Sequence, residues 1–149
     1  MSIVVERHFG VSAPAESVLE YLRDFGHTME WDPATRRTVR VDQGPIQVGS
    51  SWHNESRVLG VTTELTYTLC ADEGGRLVFI GRSEGASATA TMTVQPMGLG
   101  CAVTYHLDLE RHGVVKLATP VMKIEYEKLG TVTAQRLAEV LGRRSAQAF

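Results

Sequence analysis

Net charge, cysteine and long apolar runs are all scarce in this sequence, and each shortage excludes a class of protein. The formal net charge is −2, from 15 basic and 17 acidic side chains, so no broad positive field is available to hold the phosphates of nucleic acid. No apolar stretch approaches the roughly 20 residues that a membrane-spanning helix requires. The N-terminal residues lack the basic and apolar regions of a secretory signal. We therefore expect a cytoplasmic protein with no nucleic-acid partner and no integral membrane segment.

Only two cysteines are present, Cys70 and Cys101, and they form no CxxC pair. Free cysteine is among the most frequently buried residue types. We therefore expect two buried thiols in a reducing compartment, with a contact across a sheet as the alternative.

Sequence motifs for common catalytic and cofactor sites are also missing. There is no G-x-S-x-G nucleophile elbow, no phosphate-binding loop and no G-x-G-x-x-G turn after a strand. His53 and Glu55 match the H-x-E of zinc deaminases, but no P-C-x-x-C follows them. The five histidines have no metal-ligand spacing. The sequence therefore predicts neither a metal site nor a bound cofactor.

What is present is a regular alternation of strand-like segments and turn signals. Residues 2–11 predict a strand, residues 14–25 a helix, and residues 28–31 a short second helical turn. Six further short strands with tight connections predict an antiparallel meander. They span Thr35–Val41, Ser50–Leu59, Thr62–Ala71, Arg76–Ser83, Ser87–Gln95 and Cys101–Arg111.

The two-residue period of a strand predicts which side chains face the core. In the last strand the odd positions are apolar, so Tyr105 and its alternate neighbours point inward. The same argument turns Tyr67 inward in the third of the six strands and Met92 inward in the fifth. The period leaves residues 76–83 ambiguous, because both of their faces are apolar.

The last third of the chain carries one long stripe at helical spacing. It consists of Val115, Ala118, Met122, Tyr126, Leu129, Thr133, Leu137 and Val140. This spacing predicts an amphipathic helix over about 114–142. Thr119 is placed to cap it, Gly130 marks a close contact or a bend, and Gly142 is a candidate end. A helix this long needs a broad apolar partner, and the predicted sheet supplies one.

The order of strand, short helices, six-strand meander and long helix resembles a known superfamily. The segments that carry this likeness are VSAPAESVLEYLRDF, the tryptophan of EWDP, VGSSW and the QPMGLGCAVTY hairpin. The chain resembles START-related, SRPBCC or helix-grip proteins, within them the polyketide cyclase/dehydrase-like group. The resemblance covers essentially all of 1–149 and implies one α+β domain, in which a curved seven-stranded antiparallel sheet grips the C-terminal helix. Relatives bind lipids, sterols, quinones or polyketides between the two, and only some are enzymes.

The expected function is therefore the binding of a hydrophobic small molecule in a cavity between the sheet and the helix. Apolar and aromatic walls would give affinity, and a few tyrosine hydroxyls would fix orientation. The resemblance puts Trp31 near the mouth of this cavity. The residues expected to line it are Phe25, Trp31, Tyr67, Met92, Tyr105, Met122 and Tyr126.

Three alternatives remain open. The first is an enzyme of the cyclase, dehydratase or aromatase type, which an inward arginine, histidine or acid beside the tyrosines would favour. The cyclases that the chain resembles use a pocket arginine on the strand equivalent to 62–71, where Leu69 stands at the nearest position. His27 and His53 are weaker acid-base candidates. The second alternative is a helper module that docks on a partner through an exposed apolar patch and has a filled interior. The third is a space too small for any ligand. Monomer and homodimer are both compatible with the sequence.

Overall fold

The computed structural model describes residues 2–112 and 119–147, with the side chains of the last helix described between 120 and 143. The chain begins with strand β1 (Ser2–Val11) and helix α1 (Ala15–Arg23), followed by a 3-10 turn (Phe25–His27) and the short helix α2 (Thr28–Trp31). Six strands come next: β2 (Thr35–Arg40), β3 (Ser51–Val58), β4 (Val61–Glu73), β5 (Arg76–Arg82), β6 (Ala86–Met97) and β7 (Gly100–Arg111). The long helix α3 (Thr119–Gln147) ends the described chain.

The strands form one antiparallel sheet of seven in the order β1-β7-β6-β5-β4-β3-β2. Consecutive strands from β2 to β7 are therefore neighbours, and β1 closes the far side against β7. Register shifts between Thr35 and Arg37 and between Leu69 and Ala71 bend the sheet locally. With α3 across its inner face, this is the α+β helix-grip fold, and the prediction of its architecture is confirmed.

The first helix is shorter than the predicted 14–25. It ends at Arg23 because Asp24 adopts an extended backbone, and the Asp24 carboxylate then accepts a hydrogen bond from the Gly26 amide at 2.9 Å. This cap starts the 3-10 turn, which carries Phe25 away from the helix and into the core. The predicted helical turn at Thr28–Trp31 is confirmed.

The predicted inward faces of β4, β6 and β7 are confirmed, and the register settles the ambiguous β5. Leu77 lies opposite Met92 and Phe79 opposite Ala90, so both point toward the core and neither is solvent-exposed. The expectation of two buried thiols was wrong for Cys70, which lies on the outer face of β4 and is exposed. Cys101 is buried, and both cysteines are free.

Helix α3 extends five residues beyond the predicted end, since Gly142 lies within the helix and the last residue is Gln147. A glycine inside a helix costs only about 1 kcal/mol, too little to stop one that is held by packing. The predicted start at 114, with Val115 and Ala118 of the stripe, lies outside the described residues. The rest of the stripe faces the core, with Leu129 partly buried and the other members fully buried.

Close contact with β1 fixes α3 on the sheet. A Cβ atom at Gly130 would lie 2.4 Å from Cγ1 of Val5, so only glycine allows this approach. Nearby, Nη2 of Arg7 donates to the backbone oxygen and to Oε2 of Glu127, both at 2.8 Å. Within the described part of the chain, no helix is both long and apolar enough to cross a membrane.

Candidate functional site

A cavity of about 60 Å³ lies between α3 and the inner face of the sheet. One water needs roughly 10–15 Å³ on this scale, so the space is several times larger than a single water site. Its wall comes from β1, β3, β4, β6, β7, the segment around α2, and α3. The lining residues are Val5, Phe25, Trp31, Asp32, Ala34, Asn54, Ser56, Thr63, Leu65, Tyr67, Ala88, Ala90, Tyr105, Leu107, Leu109, Tyr126, Leu129, Gly130 and Thr133.

The structure brings together five of the seven residues expected to line this space. These five are Phe25, Trp31, Tyr67, Tyr105 and Tyr126. Their contact with a ligand stays a prediction.

The other two, Met92 and Met122, are buried but are not among the lining residues. Met92 lies farther along β6 than Ala88 and Ala90, opposite Leu77 of β5. Met122 lies one turn before Tyr126 on α3. Both methionines are packed in the core. An inward-facing side chain lines a cavity only where the opposite layer, the sheet or the helix, does not pack against it.

Aromatic rings make up much of the wall. The ring of Phe25 lies 4.4 Å from that of Tyr67, and the ring of Trp31 meets Tyr105 edge-on at 5.9 Å. Gly81 faces Tyr67 across β4 and β5, and a Cβ atom there would lie 2.8 Å from the tyrosine ring. The absence of a side chain at Gly81 therefore leaves room for the ring of Tyr67 to lie against the sheet.

One carboxylate, that of Asp32, belongs to the cavity wall. Oδ1 accepts from the Ala34 amide at 2.9 Å, and Oδ2 accepts from the Thr35 hydroxyl at 2.9 Å. The Thr35 hydroxyl in turn accepts from Nδ2 of Asn54 at 3.1 Å. Burial raises the pKa of Asp32, against the opposing effect of these hydrogen bonds and of the positive charge of Arg136. The carboxyl is thus held in a fixed orientation within a poorly hydrated site.

The three tyrosine hydroxyls share this site with Asp32. Burial raises the pKa of Tyr67, Tyr105 and Tyr126, and the negative charge of Asp32 raises each of them further. At Tyr126 a hydrogen bond from Arg111 acts in the opposite direction but does not reverse the shift. All three phenols are therefore protonated at neutral pH and can donate hydrogen bonds to a ligand.

The structure places neither histidine candidate on the cavity wall. His27 stacks on Tyr21 at 4.1 Å, and its Nδ1 contacts the Tyr21 carbonyl oxygen at 2.7 Å. His53 lies on the outer face of β3, 3.4 Å from Glu64. Neither histidine is therefore placed to act as an acid or base on the cavity wall. Arg57 and Arg82 are exposed, and the described residues contain no cluster of three His, Cys, Asp or Glu that could hold a metal ion.

Sequence reasoning missed Asp32 and Asn54. Asp32 and Pro33 form a pair typical of a helix end, but they also directly follow Trp31, which is expected at the cavity mouth. Asn54 shares the inward face of β3 with Trp52 and Ser56, in keeping with the two-residue period of a strand. A polar residue on an inward strand face was the signal that would have found it.

Comparison with solved structures supports the same fold at low sequence identity. A START superfamily protein from Mycobacterium smegmatis is similar with a TM-score of 0.72 and 17% identity, over 98% of this chain and 99% of that one. The Zhui aromatase/cyclase from Streptomyces sp. R1128 is similar with a TM-score of 0.75 and 14% identity, over 99% and 95% of the two chains. Major latex-like protein 151 from Panax ginseng gives 0.66 and 16%, over 93% and 96%.

Sequence comparison gives a broader assignment. No curated protein matches this chain. The model of one family, described as polyketide cyclase / dehydrase and lipid transport, matches residues 2–142. That range contains all seven strands and every residue of the cavity wall. The chain is therefore a member of the polyketide cyclase / dehydrase and lipid transport family.

Proposed function

We propose that this protein binds a hydrophobic small molecule, such as a lipid, a polyketide or a quinone, in the cavity between α3 and the sheet. The observation that carries the proposal is the cavity itself, because a folded core this size normally packs without such a space. Its wall combines apolar and aromatic side chains with a few fixed polar groups, the usual composition of a ligand site. Family membership and the fold shared with the START superfamily protein support it.

The whole chain, 1–149, acts as one binding domain in this proposal. We place it in the cytoplasm, which agrees with two free thiols. A helper module with a filled interior is less well supported, because the interior of the described structure holds a cavity.

The test is binding of a neutral fluorescent probe, 1-N-phenylnaphthylamine, by the wild type and two variants. Ala90→Leu places three more carbons in the cavity wall. Ala102→Leu adds the same carbons on the outer face of β7. We expect the wild type and Ala102→Leu to bind the probe and Ala90→Leu to lose at least tenfold in affinity.

Equal binding by all three proteins would place the probe on the surface and contradict the proposal, as would no binding at all. Native mass spectrometry of protein purified from its own host provides a second measurement. A retained small molecule that Ala90→Leu lacks would identify the chemical class of the ligand.

A second candidate is an enzyme of the cyclase or dehydratase type, and Asp32 is the observation that favours it. An inward acid beside three phenols offers a base and several donors for an enolate or carbonyl oxygen. Once the retained molecule is identified, incubation of the protein with a precursor of that molecule distinguishes catalysis from binding. An enzyme converts the precursor, for example with the mass loss of one water, whereas a binding protein returns it unchanged.

A further inference from the structure

The cavity wall has an unbalanced charge. Among the described residues that line it, Asp32 is the one carboxylate, and none is lysine, arginine or histidine. No described cation lies within ion-pair distance of its oxygens. A ligand that enters this space therefore meets one half-buried acid, on which the charge of Arg136 acts from outside the wall, and no cation in the wall itself.

Neighbouring groups orient the Asp32 carboxylate by hydrogen bonds that leave part of its acceptor capacity unused. Asn54 is buried and donates to the hydroxyls of both Thr35 and Thr38, at 3.1 and 2.8 Å. Because the Thr35 hydroxyl accepts from Asn54, its own proton points to Oδ2 of Asp32. The carboxylate accepts from the Ala34 amide and the Thr35 hydroxyl, and the Thr35 amide also interacts with it, whereas a carboxylate has about four acceptor sites.

Arg111, which contacts Tyr126 of the cavity wall, is already engaged. Nη2 of Arg111 donates to the Thr63 hydroxyl at 2.9 Å, and its guanidinium also donates to Tyr126. Arg111 is not part of the cavity wall. The polar groups of the wall are thus uncharged hydroxyl and amide groups, the three phenols among them, and one acid, Asp32, which accepts.

We propose that the cavity selects an uncharged ring compound bearing a hydroxyl group, whose O–H donates to the Asp32 carboxylate, and rejects ligands that end in a carboxylate. The proposal rests on the proposed binding function and narrows its ligand class. Aromatic walls formed by Phe25, Trp31 and the tyrosines suit a flat ring. A second carboxylate beside Asp32 would be a like charge in a poorly hydrated space.

Three probes with one ring system test this selection by isothermal titration calorimetry at neutral pH. They are 2-naphthol, which can donate; 2-methoxynaphthalene, which cannot; and 2-naphthoate, which carries the negative charge. We expect the wild type to bind 2-naphthol on the order of tenfold more tightly than 2-methoxynaphthalene, as a hydrogen bond to a charged acceptor implies. Binding of 2-naphthoate should be the weakest.

Two variants test whether Asp32 causes this preference among the three probes. Asp32→Asn should bind 2-naphthol and 2-methoxynaphthalene with affinities within about threefold of each other, and should bind 2-naphthoate more tightly than the wild type does. Glu110→Gln removes the same charge from the exposed outer face of β7 and should keep the wild-type order.

The outcomes separate this inference from the function on which it rests. Binding of 2-methoxynaphthalene as tight as that of 2-naphthol overturns the selection and leaves hydrophobic binding intact. Tight binding of 2-naphthoate overturns it as well. If none of the three binds, both proposals fall. The wild-type series decides the question even if Asp32→Asn does not fold.

Discussion

At the scale of single residues, Asp32 is where this protein departs most from an ordinary core. A carboxyl in a poorly hydrated site costs stability when it is ionised, because the hydrogen bonds from Ala34 and Thr35 replace only part of its hydration. The raised pKa expresses that cost. A residue kept at such a cost is a candidate for function.

The ionisation of Asp32 should make the free energy of unfolding depend on pH, in a direction that the pKa shift determines. Because burial raises its pKa above the ordinary value of 3.8, the folded state holds the proton more tightly than the unfolded state does. The contribution of Asp32 is therefore fully present below the unfolded pKa and is lost as pH rises through the folded pKa. Chemical denaturation between about pH 4 and 8 should show Asp32→Asn gaining stability relative to the wild type as pH rises.

Asp42 provides a control of opposite sign. A hydrogen bond from Arg40 lowers the pKa of Asp42, so its contribution is present above the unfolded pKa and is lost as pH falls. Asp42→Asn should therefore lose stability relative to the wild type as pH rises toward the unfolded pKa near 3.8, and should show little further change from about pH 5 to 8. Loss of stability by Asp32→Asn as pH rises, relative to the wild type, would contradict the assigned shift at Asp32.

The residues of the site differ in how well the sequence could predict them. Tyr67 and Tyr105 follow from strand alternation, and Tyr126 from the helical stripe. Asp32 lies in neither a strand nor a helix, so no period places it. Its position depends on how α2 ends, which is a three-dimensional contact.

At the scale of secondary structure elements, one close approach decides how α3 lies on the sheet. Gly130 brings the helix against Val5 of β1, and Arg7 of the same strand holds the backbone oxygen of Glu127 one turn earlier. The helix is therefore fixed along β1, and the sheet beyond that strand curves away beneath it to leave the cavity.

Replacing Gly130 by alanine should destabilise the protein by about 1–3 kcal/mol, because the new Cβ would meet Cγ1 of Val5 at 2.4 Å. Gly142→Ala, in the same helix with no atom within 4 Å of its Cβ position, should instead stabilise by up to about 1 kcal/mol through helix propensity. Chemical denaturation of both variants measures the difference. Stabilisation of both would mean that α3 does not depend on close contact at Gly130.

Element positions were largely predictable, and the exceptions have local causes. Glycine and proline turns marked the strand boundaries to within about two residues, since tight turns depend on those residue types. Gly142 misled the prediction of the helix end because tertiary packing outweighs a single glycine. Residues 76–83 could not be oriented until the register with β6 was known, because their apolar character has no period.

At the scale of the whole molecule, the cavity exists because α3 and the inner face of the sheet do not pack together along their whole length. Small side chains at Ala88 and Ala90 of β6 lie below α3 and leave the space open. The sequence predicted a space from the arrangement of the helix and the sheet. It could not give the volume, which depends on how far the sheet curves, nor show that Met92 and Met122 lie outside the wall.

If the cavity is kept open for a ligand, it is maintained at a cost in stability, and filling it should recover part of that cost. Ala90→Leu buries three more carbons in a space of about 60 Å³, which should raise the free energy of unfolding by about 1 kcal/mol once partial strain is subtracted from roughly 0.8 kcal/mol per methylene. Ala86→Leu is the matched variant, because Ala86 is buried on the same face of β6 but does not line the cavity. It should destabilise the protein by about 1–3 kcal/mol through overpacking. Denaturant unfolding of the ligand-free variants measures both changes, and equal destabilisation by the two would mean that the wall at Ala90 has no room to spare.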